Sequence, residues 1–332
     1  MFLKEVEKLL EYSGLAQKPA DFDQFWYDKL AKIAEFEPEY SLEKVDIASN
    51  LVDCYKLRFK SVDGCEIACK LLQPKEISEK LRGILMFHGY QGDSGDFSDK
   101  IALAAEGNVV LAMDCRGQAG ESEYISKVHK GTVFQGLIIR GVEEGKEHLY
   151  YKDVYLDLVI TARLLMSFTY VDENDIRATG ESQGGALALI CAALEPRVKR
   201  VLINYPFLCD FRQAYQLGVE ESAYAELAYW FRYRDPLHRR EVEFFNTLEY
   251  IDVQNFVERI EAKLIMGVGL EDKTCRPETQ FAAFNKVKSP KKLLVLPEFQ
   301  HEYFPEVADM TRGFLLFDAW DEIRSYPLDE ER

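Results

Sequence analysis

Gly180-Glu181-Ser182-Gln183-Gly184-Gly185 sits between a short apolar run, 176–179, and a helical pattern that begins near Gly184. A serine on such a sharp strand-to-helix turn is presented as a nucleophile. Glycines two before and two after it remove Cβ atoms that would otherwise collide with the neighbouring strand and helix. A serine hydroxyl is a weak nucleophile and needs a base, which in turn needs a carboxylate to fix its tautomer. Two histidines follow Ser182 in the chain, His238 and His301. His301 comes five residues after the apolar run 293–296, whereas His238 precedes the last two such runs. Glu271 and Asp272 follow the run 263–269. Either carboxylate suits the chemistry. Asp272 is preferred, because it lies farther out on its loop and its short side chain holds a rigid position; Glu271 is the alternative. The expected set is therefore Ser182 as nucleophile, Asp272 as orienting acid and His301 as base, in the chain order serine, acid, histidine.

Charge that develops on a carbonyl oxygen needs N–H donors. Gln183 follows the serine at a helix start, so its backbone N–H is one candidate. Phe87-His88-Gly89-Tyr90 follows the apolar run 83–87, and the N–H of Tyr90 is the other. His88 precedes Ser182 and belongs to this turn, so it is expected to be structural. The histidines are scattered without ligand spacing, and the seven cysteines contain no CxxC pair. No metal and no cofactor is expected. An odd number of dispersed cysteines fits reduced thiols, mostly in the core.

These residues need a scaffold. Apolar runs at 83–87, 109–113, 176–179, 201–205, 264–268 and 293–296 are short and continuous, as in strands buried on both faces of a mostly parallel sheet. Helical patterns separate them. Within 151–168, Val154, Leu158, Ala162 and Leu165 share one face, and 186–194 is short and apolar. Alternating strand and helix predicts a doubly wound α/β fold of the α/β-hydrolase type, one domain over 1–332. Before it, residues 1–80 hold helical patterns at 2–15 and 21–34, with Asp21 or Asp23 as cap. A hairpin over 52–59 and 66–72 turns at Asp63-Gly64. The interval 206–262 is rich in aromatic residues and is read as a helical insertion over the active-site end of the sheet.

The chain has 332 residues, 47% of them hydrophobic and 30% charged, enough for a sizeable core. Its formal charge of −16 disfavours nucleic acid and anionic membranes as partners. The first residues lack the apolar core of a signal peptide, and no run is long enough to span a bilayer, so a cytoplasmic location is the default expectation.

Four motifs carry a family resemblance: Arg116-Gly117-Gln118, Gly180-Glu-Ser-Gln-Gly-Gly185, the Asp272 loop and His301-Glu302. With them go Asp21-Phe-Asp-Gln-Phe-Trp26, Arg140-Gly141 before Tyr150-Tyr151, Tyr205-Pro-Phe-Leu-Cys-Asp-Phe-Arg212, and Asp252-Val-Gln-Asn-Phe256. Over nearly its whole length the chain resembles carbohydrate esterase family seven, the acetyl xylan esterases and cephalosporin-C deacetylases. The resemblance implies a serine esterase that removes acetyl groups from xylo-oligosaccharides and similar small esters. It gives Ser182, Asp272 and His301 the triad roles, and Tyr90 and Gln183 the oxyanion and acetyl-binding roles. It makes Arg116, Gly117 and Gln118 a supporting motif, which the residues alone leave as a plain turn. It also implies a homohexamer and no metal. The chain departs from the family's pattern at Lys273-Thr-Cys-Arg276-Pro277 and at Glu298-Phe-Gln300, beside the route to the site. Other serine hydrolases of this fold, acting on lipid esters or peptides, are the competing class. A non-catalytic binding protein is a third, set against the retention of all three triad residue types.

Overall fold

β-Branched and leucine-rich runs too short for helices pair edge to edge here into one nine-stranded sheet. The structure is a computed structural model that describes residues 2–126, 136–219, 222–317 and 319–326. In chain order its elements are α1 (Phe2–Leu10), α2 (Phe22–Lys32), β1 (Tyr40–Val45), β2 (Val52–Lys60), β3 (Glu66–Pro74), β4 (Leu81–Phe87), α3 (Ser98–Ala105) and β5 (Asn108–Met113). Then come α4 (Tyr150–Ser167), β6 (Val171–Glu181), α5 (Gln183–Leu194) and β7 (Val198–Asn204). The chain ends with α6 (Phe211–Gln216), α7 (Ala225–Tyr233), α8 (Glu241–Leu248), β8 (Lys263–Gly269), α9 (Pro277–Lys286), β9 (Lys291–Leu296) and α10 (Val307–Phe317).

The strand order is β1-β2-β3-β5-β4-β6-β7-β8-β9. β1, β2, β3 and β5 pair antiparallel, and every pairing from β5 through β4 to β9 is parallel. The expected mostly parallel sheet is therefore present, with the 52–59 and 66–72 hairpin as its β2 and β3. Side chains alternate between two apolar layers, as the two-residue period of a strand requires. Val109, Leu111 and Met113 join the large cluster that holds α4 and α5, while Val110 and Ile84 join Ala104 of α3 and Leu315 and Leu316 of α10 on the other face. All twelve residues of α5 are buried, the condition of a helix that is apolar on every side.

Two local expectations need correction, and one strand has no counterpart among them. The first helix stops at Leu10 rather than at residue 15, and Asn285 Nδ2 takes up the carbonyls of Leu9 and Tyr12 beyond it, each at 2.8 Å. Asp21 stands at the N-cap of α2 but makes no capping bond. Its carboxylate instead accepts from Lys146 and the Tyr250 hydroxyl, a tertiary pairing that outcompetes the local one. Asp23 pairs with Lys18 and Arg259. Strand β1 went unpredicted because five of its six residues are exposed, so it carries no apolar period. Its charged residues suit an edge that must not pair further.

Between β7 and β8 lie α6, α7 and α8. This interval packs over the carboxyl ends of the strands. Ala223 N donates to Thr274 O beyond β8 at 3.2 Å, and the Phe207 ring lies 5.4 Å from that of Tyr90 beyond β4.

Candidate active site

Ser182 has φ 54° and ψ −119°, a left-handed conformation that costs a non-glycine residue energy and persists only when its surroundings impose it. The surroundings here do so. Ser182 N donates to Asn204 O at 3.1 Å, and its carbonyl accepts from Phe207 N at 3.0 Å. A Cβ on Gly184 would overlap the Phe87 carbonyl of β4, and one on Gly180 would overlap the Gly184 backbone at the start of α5. The two glycines thus let strand, turn and helix close up around the serine. α5 begins at Gln183, so the N–H of Gln183 belongs to the first turn, where no carbonyl of the helix can reach it.

Asp272 and His301 meet. His301 Nδ1 lies 2.8 Å from Asp272 Oδ2. A carboxylate only accepts, so Nδ1 carries the proton and Nε2 is left with a free lone pair. Asp272 is 1% exposed, and its charge is met by four donors. Oδ1 accepts from Thr274 N at 2.8 Å and Cys275 N at 2.9 Å; Oδ2 accepts from His301 and from Gln280 Nε2 at 3.2 Å. Such bonds offset the cost of burying a carboxylate. Glu271 points to solvent, so the choice between the two acids falls to Asp272 on geometry. His238 is elsewhere: it stacks on Phe231 with centroids 4.1 Å apart and bonds Glu241 Oε2 at 2.8 Å.

Tyr205 packs its ring 4.3 Å from the imidazole of His301, and its hydroxyl donates to Glu181 Oε2 at 2.8 Å. Burial pushes the Cys275 thiol, on the loop that carries Asp272, well above its usual range. Gln280, Tyr205 and Cys275 were not singled out as site residues from sequence. Tyr205 and Cys275 lie in segments that the family resemblance points to, while Gln280 is signalled only by nearness in the chain to Asp272.

The loop after β4 is held by residues from three directions. His88 Nε2 accepts from Cys115 N at 2.9 Å and its Nδ1 donates to Gly89 O at 2.8 Å, which makes the ring neutral and structural. Burial holds its pKa below the usual value. Gln118 Oε1 accepts from Gln91 N at 2.7 Å, while Gln118 Nε2 donates to Gln183 Oε1 at 2.8 Å. One side chain thus bridges the Tyr90 loop to the residue after the serine. Gln183 Oε1 also accepts from Tyr151 at 2.8 Å, and its Nε2 donates to His88 O at 3.2 Å. The Tyr90 hydroxyl donates to Glu226 Oε1 at 2.7 Å.

Arg116 is buried and does not face the serine. It forks onto Asp157 through Nε–Oδ2 at 2.7 Å and Nη2–Oδ1 at 2.8 Å, and bonds Asp63 at 2.6 Å. Burial alone would pull the guanidinium down, but Asp157 and Asp63 more than offset it. Gly117 takes φ +65°, and a Cβ there would strike Tyr124, so the turn between Arg116 and Gln118 requires glycine.

A parallel sheet with antiparallel strands at one edge, a strained serine between strand and helix, and a buried acid bonded to a histidine beyond later strands define an α/β-hydrolase. The chain belongs to the acetyl xylan esterase (AXE1) family, whose model matches residues 1–316. It is similar to acetyl xylan esterase 1 from a Thermoanaerobacterium species, with 39% identity, a TM-score of 0.91 and coverage of 94% of this chain and 98% of that one. An acetyl xylan esterase from a Paenibacillus species gives 32% identity, a TM-score of 0.89 and coverage of 93% and 98%. The acetyl esterase Axe7A of Xylanibacter ruminicola is 28% identical over 294 residues, 86% of this chain and 64% of that protein. This chain therefore spans somewhat less than two thirds of that relative's length.

Proposed function

We propose that this protein is a serine esterase that removes acetyl groups from acetylated xylo-oligosaccharides and similar small acetyl esters, cephalosporin C among them. The observation that carries the proposal is the buried Asp272 bonded to His301 in the same strand-end cluster as the strained Ser182. Family membership and the two acetyl xylan esterase structures support the acetyl specificity.

His301 Nε2 takes the Ser182 proton as Oγ attacks the acetyl carbonyl. Asp272 stabilises the imidazolium that results. The N–H groups of Gln183 and Tyr90 receive the oxyanion. Collapse of the tetrahedral intermediate releases the sugar hydroxyl, which takes the proton from His301 and leaves acetyl on Ser182. Water, deprotonated by His301, then releases acetate and restores the hydroxyl. No step needs a metal or an organic cofactor.

Tyr90 and the aromatic insertion limit the acyl pocket to acetyl by steric exclusion. The protein works in the cytoplasm as a homo-oligomer, a hexamer by family likeness, and meets shortened, imported oligosaccharides rather than intact xylan. Neither nucleic acid nor membrane is a partner. Among the described residues no helix is long and apolar enough to cross a membrane. The test is kcat/KM for acetyl, butyryl and octanoyl esters, with sedimentation to give the mass. Acetyl should be preferred and the species should be larger than a monomer. A monomer with a preference for octanoyl esters would instead point to lipid-ester chemistry.

A further inference from the structure

Glu226, in the first turn of α7, is a buried carboxylate that the acyl-transfer steps do not use. Its surroundings are specific. Oε1 accepts the Tyr90 hydroxyl at 2.7 Å, and Oε2 accepts Ile139 N at 3.0 Å. Leu137 N donates in turn to the Tyr90 hydroxyl at 2.9 Å, so acid, phenol and loop close a ring. A Cβ at Gly136 would strike the Glu226 side chain, so the loop lies directly on it. The Tyr90 loop is also tied to core elements, through His88 to Cys115, through Gln91 to Gln118 and through the His88 carbonyl to Gln183, and the insertion adds the Phe207 ring against that of Tyr90.

We propose that Glu226 is a positioning residue for catalysis: from the insertion it locks the Tyr90 side chain and thereby sets the Tyr90 N–H where the oxyanion forms. This rests on the esterase reading above. A buried carboxylate costs stability unless hydrogen bonds compensate it, and the bonds that do so here converge on the Tyr90 loop and its neighbour. The loop keeps its ties to His88 and Gln118 when Glu226 is lost. The expected effect is therefore a misplaced donor rather than a missing one.

The test measures kcat, KM and melting temperature with 4-nitrophenyl acetate for the wild type, Ser182→Ala, Glu226→Ala, Glu226→Gln, Tyr90→Phe and the Glu226→Ala/Tyr90→Phe double variant. Glu226→Ala should lower kcat on the order of 10- to 100-fold with little change in KM, less than the loss of a whole oxyanion donor. Glu226→Gln keeps a carbonyl for the Tyr90 hydroxyl and should recover most of that loss. Tyr90→Phe should resemble Glu226→Ala, and the double variant should be no worse than either, since both cut one link. Multiplicative losses in the double variant would overturn the proposal, as would a folded Glu226→Ala enzyme with wild-type kcat. Should Glu226→Ala fail to fold, wild-type kcat in Tyr90→Phe overturns it just as well. Activity that survives in Ser182→Ala condemns the esterase reading itself, a result distinct from any of these.

Discussion

The loops after β6, β8 and β9 and the loop after β4 meet at one end of the sheet, yet they are built differently. The first group presents side chains. In the proposed mechanism Ser182, Asp272 and His301 each have a single chemical task, and Asp272 faces His301 directly at 2.8 Å. The β4 loop presents backbone. The side chains around it bond to backbone or to each other: His88 to Cys115 N, Gln118 to Gln91 N, and Tyr90 to Glu226, which in the proposed mechanism holds a peptide plane in place. A task carried by one side chain fails when that side chain goes. A position secured by several bonds degrades in steps. The two regions should therefore differ in how steeply activity falls on substitution.

The largest loss should come from the side-chain group. Ser182→Ala should lower kcat by about 10⁴- to 10⁶-fold with folding intact. Asp272→Asn should cost about 10⁴-fold through loss of His301 tautomer control. Glu271→Gln should change kcat less than about threefold, because a solvent-facing residue touches none of this chemistry. Steady-state kinetics on an acetyl ester checks all three. A severe Glu271→Gln beside a mild Asp272→Asn would reverse the assignment of the acid.

Arg116 sharpens the contrast from the other side, because it supports without taking part. Arg116→Met leaves Asp157 buried with Ser61 and without its cation, which should cost about 3–5 kcal/mol of stability in urea unfolding. Turnover per folded molecule should fall less than about tenfold, since Arg116 reaches the site only through its carbonyl, which the Tyr150 hydroxyl bonds at 2.6 Å. A folded, stable variant with turnover reduced a thousandfold would give Arg116 a chemical role.

The smallest effect is on pH dependence. Burial raises the Glu226 pKa from 4.5 to about 7, against the lowering effect of the Tyr90 hydroxyl and the 137–139 amides. Between those values the folded chain holds a proton that the unfolded chain has lost. Stability from this group is therefore full below pH 4.5 and declines as pH rises to 7. The unfolding midpoint of the wild type should fall more between pH 5 and pH 8 than that of Glu226→Gln, which has no such proton. Parallel slopes would mean that Glu226 is ionised throughout.

Much of the scaffold was legible because it rests on local signals. Short apolar runs gave the parallel strands, Asp63-Gly64 gave the hairpin turn, and Gly180 and Gly184 marked the tight approach that the Phe87 carbonyl imposes. Strand β1 escaped because an exposed edge has no apolar period. The capping role expected of Asp21 failed because Lys146 and Tyr250, distant in sequence, offered better partners.

Within the site, the residue types and their order along the chain, by themselves, determined Ser182 and His301 as candidates and left two adjacent acids. Only the tertiary structure decided between these acids, since burial and direction are properties of the folded loop: Asp272 turns inward to His301 while Glu271 faces water. The same holds for the backbone-holding group. Arg116 and Asp157 are 41 residues apart, Gln118 and Gln183 65, and Tyr90 and Glu226 136. No periodicity links positions that far apart. Long-range hydrogen bonds are chosen by which loops the sheet order brings together, and that choice is made only when the strands pair.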